Sequence, residues 1–140
     1  MKNNKTTVSF DFDGTLNDYF MGEINPHKDW IRALFIELVT SDDFDVYIIT
    51  RRHGPERSEE GSKNEHEKVF ELINELNIEF PKEKILFTNR DYKYSYINKL
   101  KVDIHLDDED MEHQLISKFS NGRSVDVTQP NWREKFDELL

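Results

Sequence analysis

Residues 8–16 read VSFDFDGTL, and this stretch decides how the chain folds and what it can hold. Apolar side chains alternate along its first half, which predicts a β-strand. Asp11 and Asp13 leave the strand close together, and Gly14 supplies a backbone that can turn sharply. Two neighbouring carboxylates repel each other and are costly to desolvate, so an acidic Asx turn is the weaker explanation. The pattern indicates a site for a hard cation and phosphoryl chemistry.

The composition is that of a single well-charged domain. The chain has 140 residues, of which 36% are hydrophobic and 34% charged, and this length suffices for a buried core. It has no cysteine, which excludes disulfides and thiolate metal sites. No apolar run approaches the roughly 18 residues of a membrane span, and no apolar stretch follows the lysines near the start. We therefore expect a cytoplasmic protein without membrane segments.

The net charge of −10 disfavours broad nucleic-acid binding, which depends on a cationic surface. A local basic cluster nevertheless interrupts the acidic chain at Arg51, Arg52, His53 and Arg57. Its arginines are either solvated loop residues or ligands for a substrate phosphate. Stable nucleic-acid binding is not expected, whereas a phosphorylated small molecule or a nucleic-acid end fits the cluster.

Strand-like and helix-like segments alternate along the chain. The predicted strands cover residues 7–12, 46–50, 84–88, 102–106 and 124–127. Apolar residues at helical spacing predict helices that include residues 31–38, 69–76, 92–100, 111–119 and 132–140. Asn25 and Pro26 are interpreted as the N-cap and first turn of the first helix, and residues 51–64 as a long functional loop. The prediction is one α/β domain over residues 1–140, a three-layer, doubly wound, mostly parallel Rossmann-like sheet.

Several polar side chains are predicted to meet at one edge of this sheet. Ligands of such sheets bind beyond the carboxyl ends of the strands. Asp11 ends the first predicted strand, Thr50 ends the second, and Asp107 and Asp108 follow the fourth. The topology therefore gathers residues that are far apart in sequence. His105, inside the fourth strand, is interpreted as a packed or hydrogen-bonded residue rather than a metal ligand.

The string Asp11-Phe12-Asp13-Gly14-Thr15-Leu16 resembles the first motif of the haloacid dehalogenase (HAD) superfamily, whose members are mostly Mg²⁺-dependent phosphatases. Thr50, at the end of an apolar strand, is similar to the second motif, and the pair Asp107 and Asp108 to the fourth. The superfamily also has a lysine between these motifs, for which Lys93, Lys99 and Lys101 are available. Lys93 is the candidate, because it falls in the first turn of a helix that starts at the carboxyl edge.

The resemblance implies a mechanism and assigns roles to residues. Asp11 would be the nucleophile, Asp13 the general acid and base, and Thr50 and Lys93 would stabilise the transferring group. Mg²⁺ would be held by the Asp11 carboxylate, the main-chain carbonyl of Asp13, Asp107, and Asp108 through water. The expected substrate-binding residues are Gly14, Thr15, Arg51 and Arg52.

No segment is long enough for the cap domain that many superfamily members carry, so we expect an open site. The predicted function is a phosphomonoesterase that acts through an aspartyl-phosphate, on a nucleotide or a nucleic-acid-end phosphate. A weaker similarity, at Arg52, to the phosphatase domain of polynucleotide kinase-phosphatases is opposed by the net charge. The alternatives are a catalytically inactive binding protein of this fold and a phosphoacceptor receiver domain. A receiver domain needs an aspartate after the third strand, where Leu86, Phe87 and Thr88 stand.

Overall fold

The computed structural model describes residues 5–57 and 65–140, and strands and helices alternate through both ranges. The strands are β1 (Thr6–Phe10), β2 (Phe44–Thr50), β3 (Ile85–Phe87), β4 (Ile104–Asp107) and β5 (Arg123–Asp126). The helices are α1 (Lys28–Val39), α2 (Glu65–Leu76), α3 (Tyr94–Leu100), α4 (Asp110–Phe119) and α5 (Trp132–Leu139). Short 3₁₀ helices cover Pro55–Arg57 and Lys82–Lys84.

All five strands of the described ranges run parallel in one sheet, in the order β3-β2-β1-β4-β5. Phe10 at the end of β1 pairs with Ile48 on one side and with Leu106 on the other. The strand order reverses between β1 and β4, so the crevice for a ligand opens at the carboxyl ends of these two strands. The predicted α/β fold with a parallel sheet is confirmed.

Helices pack on both faces of the sheet. Successive strand residues point to opposite faces, and Ile48 and Ile49 accordingly belong to two different apolar clusters. The larger cluster joins the sheet to the buried faces of α1, α2 and α5. The smaller cluster joins it to α3 and α4. This arrangement makes three layers and keeps the strands buried on both sides.

The carboxyl ends of β1 and β4, which flank the crevice, differ from the predicted ones. β1 ends at Phe10, so Asp11 is the first residue beyond the strand, although its N–H still donates to Leu106 O (2.9 Å). β4 ends at Asp107, which pairs with Asp126, so Asp107 belongs to the strand rather than following it. The ladder to β5 extends β4 to this residue and fixes its main chain.

The predicted starts of two helices were wrong. α1 begins at Lys28 with His27 as N-cap, two residues later than predicted. The Asn25 side chain lies before this cap: its Oδ1 accepts from His27 N–H, and its amide Nδ2 donates to Gly14 O and Thr15 O. Asn25 therefore ties the chain before α1 to the turn after β1. α3 begins at Tyr94, and Lys93 is its N-cap residue rather than part of the first turn.

The predicted loop over residues 51–64 is described only in part. Its first residues include the 3₁₀ helix Pro55–Arg57, residues 58–64 lie outside the described ranges, and α2 begins at Glu65. Within the part of the chain that the structure covers, no helix is both long and apolar enough to cross a bilayer.

We expect the closing helix α5 to be essential for stability. Phe136 is 1% exposed and contributes to the larger cluster, so Phe136→Ala removes a buried ring and lowers the free energy of unfolding by about 3–5 kcal/mol. Phe119→Ala is the matched control, because this helical phenylalanine is 51% exposed. Urea unfolding measures both variants, and equal losses for the two would contradict the packing of α5.

Candidate functional site

Three aspartates meet at the switch between β1 and β4. Asp11 follows β1, while Asp107 ends β4 and Asp108 follows it. One carboxylate oxygen from each lies within 4.8 Å of the other two. Asp11 and Asp107 are buried, and Asp108 is partly exposed toward the crevice. The predicted convergence of these side chains at one sheet edge is therefore present in the structure.

Lys93 inserts its ammonium group between two of these carboxylates. Its Nζ donates to Asp11 Oδ1 (2.6 Å) and to Asp107 Oδ2 (2.7 Å), and the side chain is 2% exposed. The main-chain N–H of Lys93 donates to Glu112 Oε1 on α4 (3.1 Å), which fixes the start of α3. Burial opposes the charge on Lys93, but the facing Asp107 and Asp11 outweigh burial and raise its pKa. The structure thus places Lys93, of the three candidates, in the acidic cluster.

One ammonium group does not neutralise three carboxylates, and the pKa values reflect this. Burial raises the pKa of Asp11 well above its ordinary value, and repulsion from Asp107 raises it further. Burial likewise raises the pKa of Asp108 to about 6. Burial acts in the same direction on Asp107, but Lys93 and His105 overcome it and hold the pKa of Asp107 below its usual range.

Behind the cluster, a buried hydrogen-bonded chain orients Asp107. His105 Nε2 lies 2.7 Å from Asp107 Oδ2, and its Nδ1 lies 2.7 Å from Ser9 Oγ. Burial lowers the pKa of His105, which favours the neutral ring. Since a carboxylate only accepts, a neutral ring donates from Nε2 to Asp107 and accepts at Nδ1 from the Ser9 hydroxyl. The interpretation of His105 as a hydrogen-bonded residue is confirmed. No pattern in the sequence singles out Ser9, because its contact with His105 depends on the register between β1 and β4.

Gly14 and Thr15, in the turn after β1, lie directly beside the aspartates. Thr15 is fully buried and its hydroxyl donates to Asp11 Oδ2 (3.2 Å). Gly14 has φ +80°, and a Cβ at this position would lie 2.3 Å from Asp108 Oδ2. Both residues lie beside the carboxylates, and neither is among the residues that line the cavity above the cluster.

Asp13 faces Arg52 instead of the other aspartates. Arg52 Nη2 donates to Asp13 Oδ1 (2.7 Å) and its Nε to Asp13 Oδ2 (2.9 Å), a bidentate pair. The guanidinium lies over the rings of Phe12 and Phe20, 5.0 and 5.3 Å from their centroids. Thr50 is buried beneath, with its hydroxyl oxygen accepting from Arg52 N–H (3.2 Å). Arg52 is therefore a fixed part of the site.

Arg51 is bound to its neighbours. It donates to Arg90 O through Nε and Nη2, pairs with Glu109 (3.2 Å), and lies over the Tyr92 ring at 4.5 Å. Arg51 lines the crevice, but its N–H groups donate to Arg90 and Glu109 at the edge of the site. The side chain of Arg57, which also belongs to the basic cluster of the sequence, lies outside the described residues.

A cavity of about 530 Å³ opens above the acidic cluster. Its lining includes all the predicted catalytic and metal residues and both arginines, together with Tyr19, Phe20, Met21, Glu23, Arg90 and Glu109. Sequence reasoning did not find these last six. Tyr19, Phe20 and Met21 form a short apolar run, but the segment is too short to predict a strand or a helix. Arg90 had none, because its position depends on how β3 connects to α3.

The donor set suits a hard divalent cation. Asp11, Asp107 and Asp108 offer carboxylate oxygens, which Mg²⁺ prefers, and their close approach leaves negative charge that Lys93 does not balance. Burial is the main cause of the raised pKa values of Asp11 and Asp108, and repulsion from Asp107 adds to it; a bound cation would relieve this repulsion. The residues present therefore fit the metal that the sequence predicts.

Comparisons of this chain with protein-family models, with curated proteins and with solved structures found no match. The geometry of the site therefore carries the functional argument.

Glu112 gives a test of the electrostatics beside Lys93. Burial raises the pKa of this carboxyl from 4.5 to about 7, so ionising it in the folded protein costs stability as the pH rises through this interval. We expect Glu112→Gln to remove this cost while keeping the acceptor for Lys93 N–H. Measured in EDTA, the Tm of the variant relative to wild type should rise by up to about 10 °C between pH 5 and pH 8, at about 4 °C per kcal/mol.

The exposed Glu134→Gln on α5 is the matched control for this measurement. Its Tm relative to wild type should stay constant with pH. A difference for Glu112→Gln that is also constant with pH would show that Glu112 titrates normally.

Proposed function

We propose that this protein is a Mg²⁺-dependent phosphomonoesterase of the HAD superfamily, which acts through an aspartyl-phosphate on the phosphate of a nucleotide or a nucleic-acid end. The observation that carries the proposal is the position of Asp11, at the floor of the cavity among Lys93, Asp107 and Asp108. Burying several carboxylates together costs free energy of folding, and a nucleophile beside a metal site explains why the chain places them here.

In the proposed reaction, a carboxylate oxygen of Asp11 attacks phosphorus in line, and the bond from phosphorus to the leaving oxygen breaks. Thr15 donates to Asp11 Oδ2 and Lys93 to Oδ1, so the carboxylate is held from both sides. Water then attacks phosphorus and releases Asp11. The products are an alcohol and inorganic phosphate.

Asp13 is the proposed general acid and base. It gives a proton to the leaving oxygen in the first step and takes one from water in the second. Both of its oxygens accept hydrogen bonds from Arg52 in this structure, so the acid role requires Arg52 to release at least one of them. A substrate phosphoryl group is an anion that competes for the same guanidinium.

Mg²⁺ would be held by Asp11, Asp107 and Asp108, with the main-chain carbonyl of Asp13 as a further ligand. When bound, the ion neutralises the carboxylates and polarises the phosphoryl group. Lys93 supplies fixed positive charge at the nucleophile, and Thr50 orients the Arg52 backbone at the cavity wall. The proposal includes an open site without a cap domain. The structure describes every residue between β1 and β2, and the helix in this segment is α1.

A catalytically inactive binding protein is the second candidate. The observation in its favour is that both oxygens of Asp13, the proposed acid, accept hydrogen bonds from Arg52. Turnover separates the two candidates directly.

We expect wild-type protein to hydrolyse p-nitrophenyl phosphate with Mg²⁺ and to lose this activity in EDTA. Asp11→Asn removes the nucleophile and should lower kcat by about a thousandfold or more. Asp110→Asn is the matched control, because this exposed aspartate stands in the same acidic run but outside the cluster. Absence of turnover by wild type on a panel of phosphomonoesters would favour the inactive binding protein.

Metal binding can be measured without activity. Added Mg²⁺ should raise the Tm of wild type, since a ligand that binds only the folded state stabilises it by mass action. Asp108→Asn should abolish most of this increase, and Asp110→Asn should keep it. An equal increase in all three proteins would place the ion elsewhere.

A further inference from the structure

One wall of the cavity is apolar and exposed. Phe20 is 58% exposed and Met21 is 85% exposed, and both line the cavity above the acidic cluster. They are the two central residues of a tight turn closed by Gly22 N–H donating to Tyr19 O (2.8 Å). Such positions usually hold polar residues or glycine. Because folding gains nothing from a phenylalanine and a methionine exposed here, their place at the cavity indicates contact with a ligand.

The turn is held firmly against the site. Tyr19 N–H donates to Glu23 O (2.9 Å), which closes the base of the turn. The guanidinium of Arg52 lies 5.3 Å from the Phe20 ring centroid, and Asp13 fixes that guanidinium in turn. Phe20 is therefore a positioned ring with more than half of its surface free. A positioned ring beside a cavity is a surface on which another flat ring can stack.

The charges of the cavity disfavour a substrate with several phosphoryl groups. Among the described lining residues, every cation already has a carboxylate partner: Lys93 pairs with Asp11 and Asp107, Arg52 with Asp13, Arg51 with Glu109, and Arg90 with Glu65. Glu23 and Glu109 add negative charge at the wall. A polynucleotide would bring further phosphates toward these carboxylates and toward a chain of net charge −10.

From this geometry we infer that the substrate is a nucleoside monophosphate, whose phosphoryl group reaches Asp11 and whose base stacks on Phe20 and contacts Met21. The inference rests on the proposed function and narrows its substrate class. The cavity of about 530 Å³ lies in the size range of pockets for small ligands. Aromatic stacking with a base tolerates any base, and the polarisable thioether of Met21 suits a flat ring edge.

The test compares adenosine 5′-monophosphate with ribose 5-phosphate, which lacks the base. Wild type should show a kcat/KM at least about fivefold higher for the nucleotide, the lower end of a stacking contribution. Phe20→Ala should raise KM for the nucleotide by a similar factor and raise KM for ribose 5-phosphate by a much smaller one. Ile24→Ala is the matched control, since Ile24 is 78% exposed in the same segment but does not line the cavity.

Three results would overturn the inference. The first is equal kcat/KM for the two compounds, and the second is an equal loss on both of them in Phe20→Ala, which would make Phe20 structural. The third is a preference for phosphotyrosine or for a 5′- or 3′-phosphorylated oligonucleotide over the mononucleotide. In each case hydrolysis itself would still support the phosphatase.

Binding to Asp11→Asn separates the two proposals. Calorimetry with adenosine 5′-monophosphate and ribose 5-phosphate should show tighter binding of the nucleotide, and the double variant Asp11→Asn/Phe20→Ala should lose the difference. If wild type hydrolyses nothing but binds the nucleotide in this Phe20-dependent way, the phosphatase fails and the base site stands. If hydrolysis occurs without a preference in binding, the base site fails alone.

Discussion

The ammonium group of Lys93, buried between Asp11 and Asp107, is the interaction on which the rest of the site depends. Without it, buried carboxylates would face each other unpaired, and losing one partner of such a pair costs about 3–5 kcal/mol. The fold fixes this lysine at its main chain, through Glu112, and fixes Asp107 through His105. Several elements of the fold therefore serve to hold one positive charge in place.

The sheet topology explains why these groups meet. β1 and β4 are neighbours although α1, β2, α2, β3 and α3 separate them in sequence, and the strand order reverses at this point. Side chains at the ends of β1 and β4 must then share one crevice. The turn after β1 brings Gly14 so close to Asp108 that a Cβ would collide with the carboxylate, so the small residue and the acidic cluster depend on each other.

The sequence was sufficient to predict the α/β class, the parallel sheet and the meeting of the strand-end aspartates, because all three follow from hydrophobic periodicity and strand order. It could not predict that Arg52 pairs with Asp13, or that Asn25 ties the turn to α1 instead of capping the helix. Such contacts depend on side-chain directions across the crevice. Phe20 was missed for a related reason, since a single exposed ring in a turn has no periodic signal.

In the proposed reaction, a substrate has to rearrange the charge pairs from which the site is built. The N–H groups of Lys93 and Arg52 donate to Asp11 and Asp13, which both have roles in the proposed reaction. A phosphoryl group that entered above Asp11 would compete with Asp13 for Arg52, and the proposed reaction needs a free Asp13 at the leaving oxygen. Substrate binding and release of the acid are then one event. Because Arg52 also backs the ring of Phe20, a base that stacks there would sit against the same guanidinium and favour the same rearrangement.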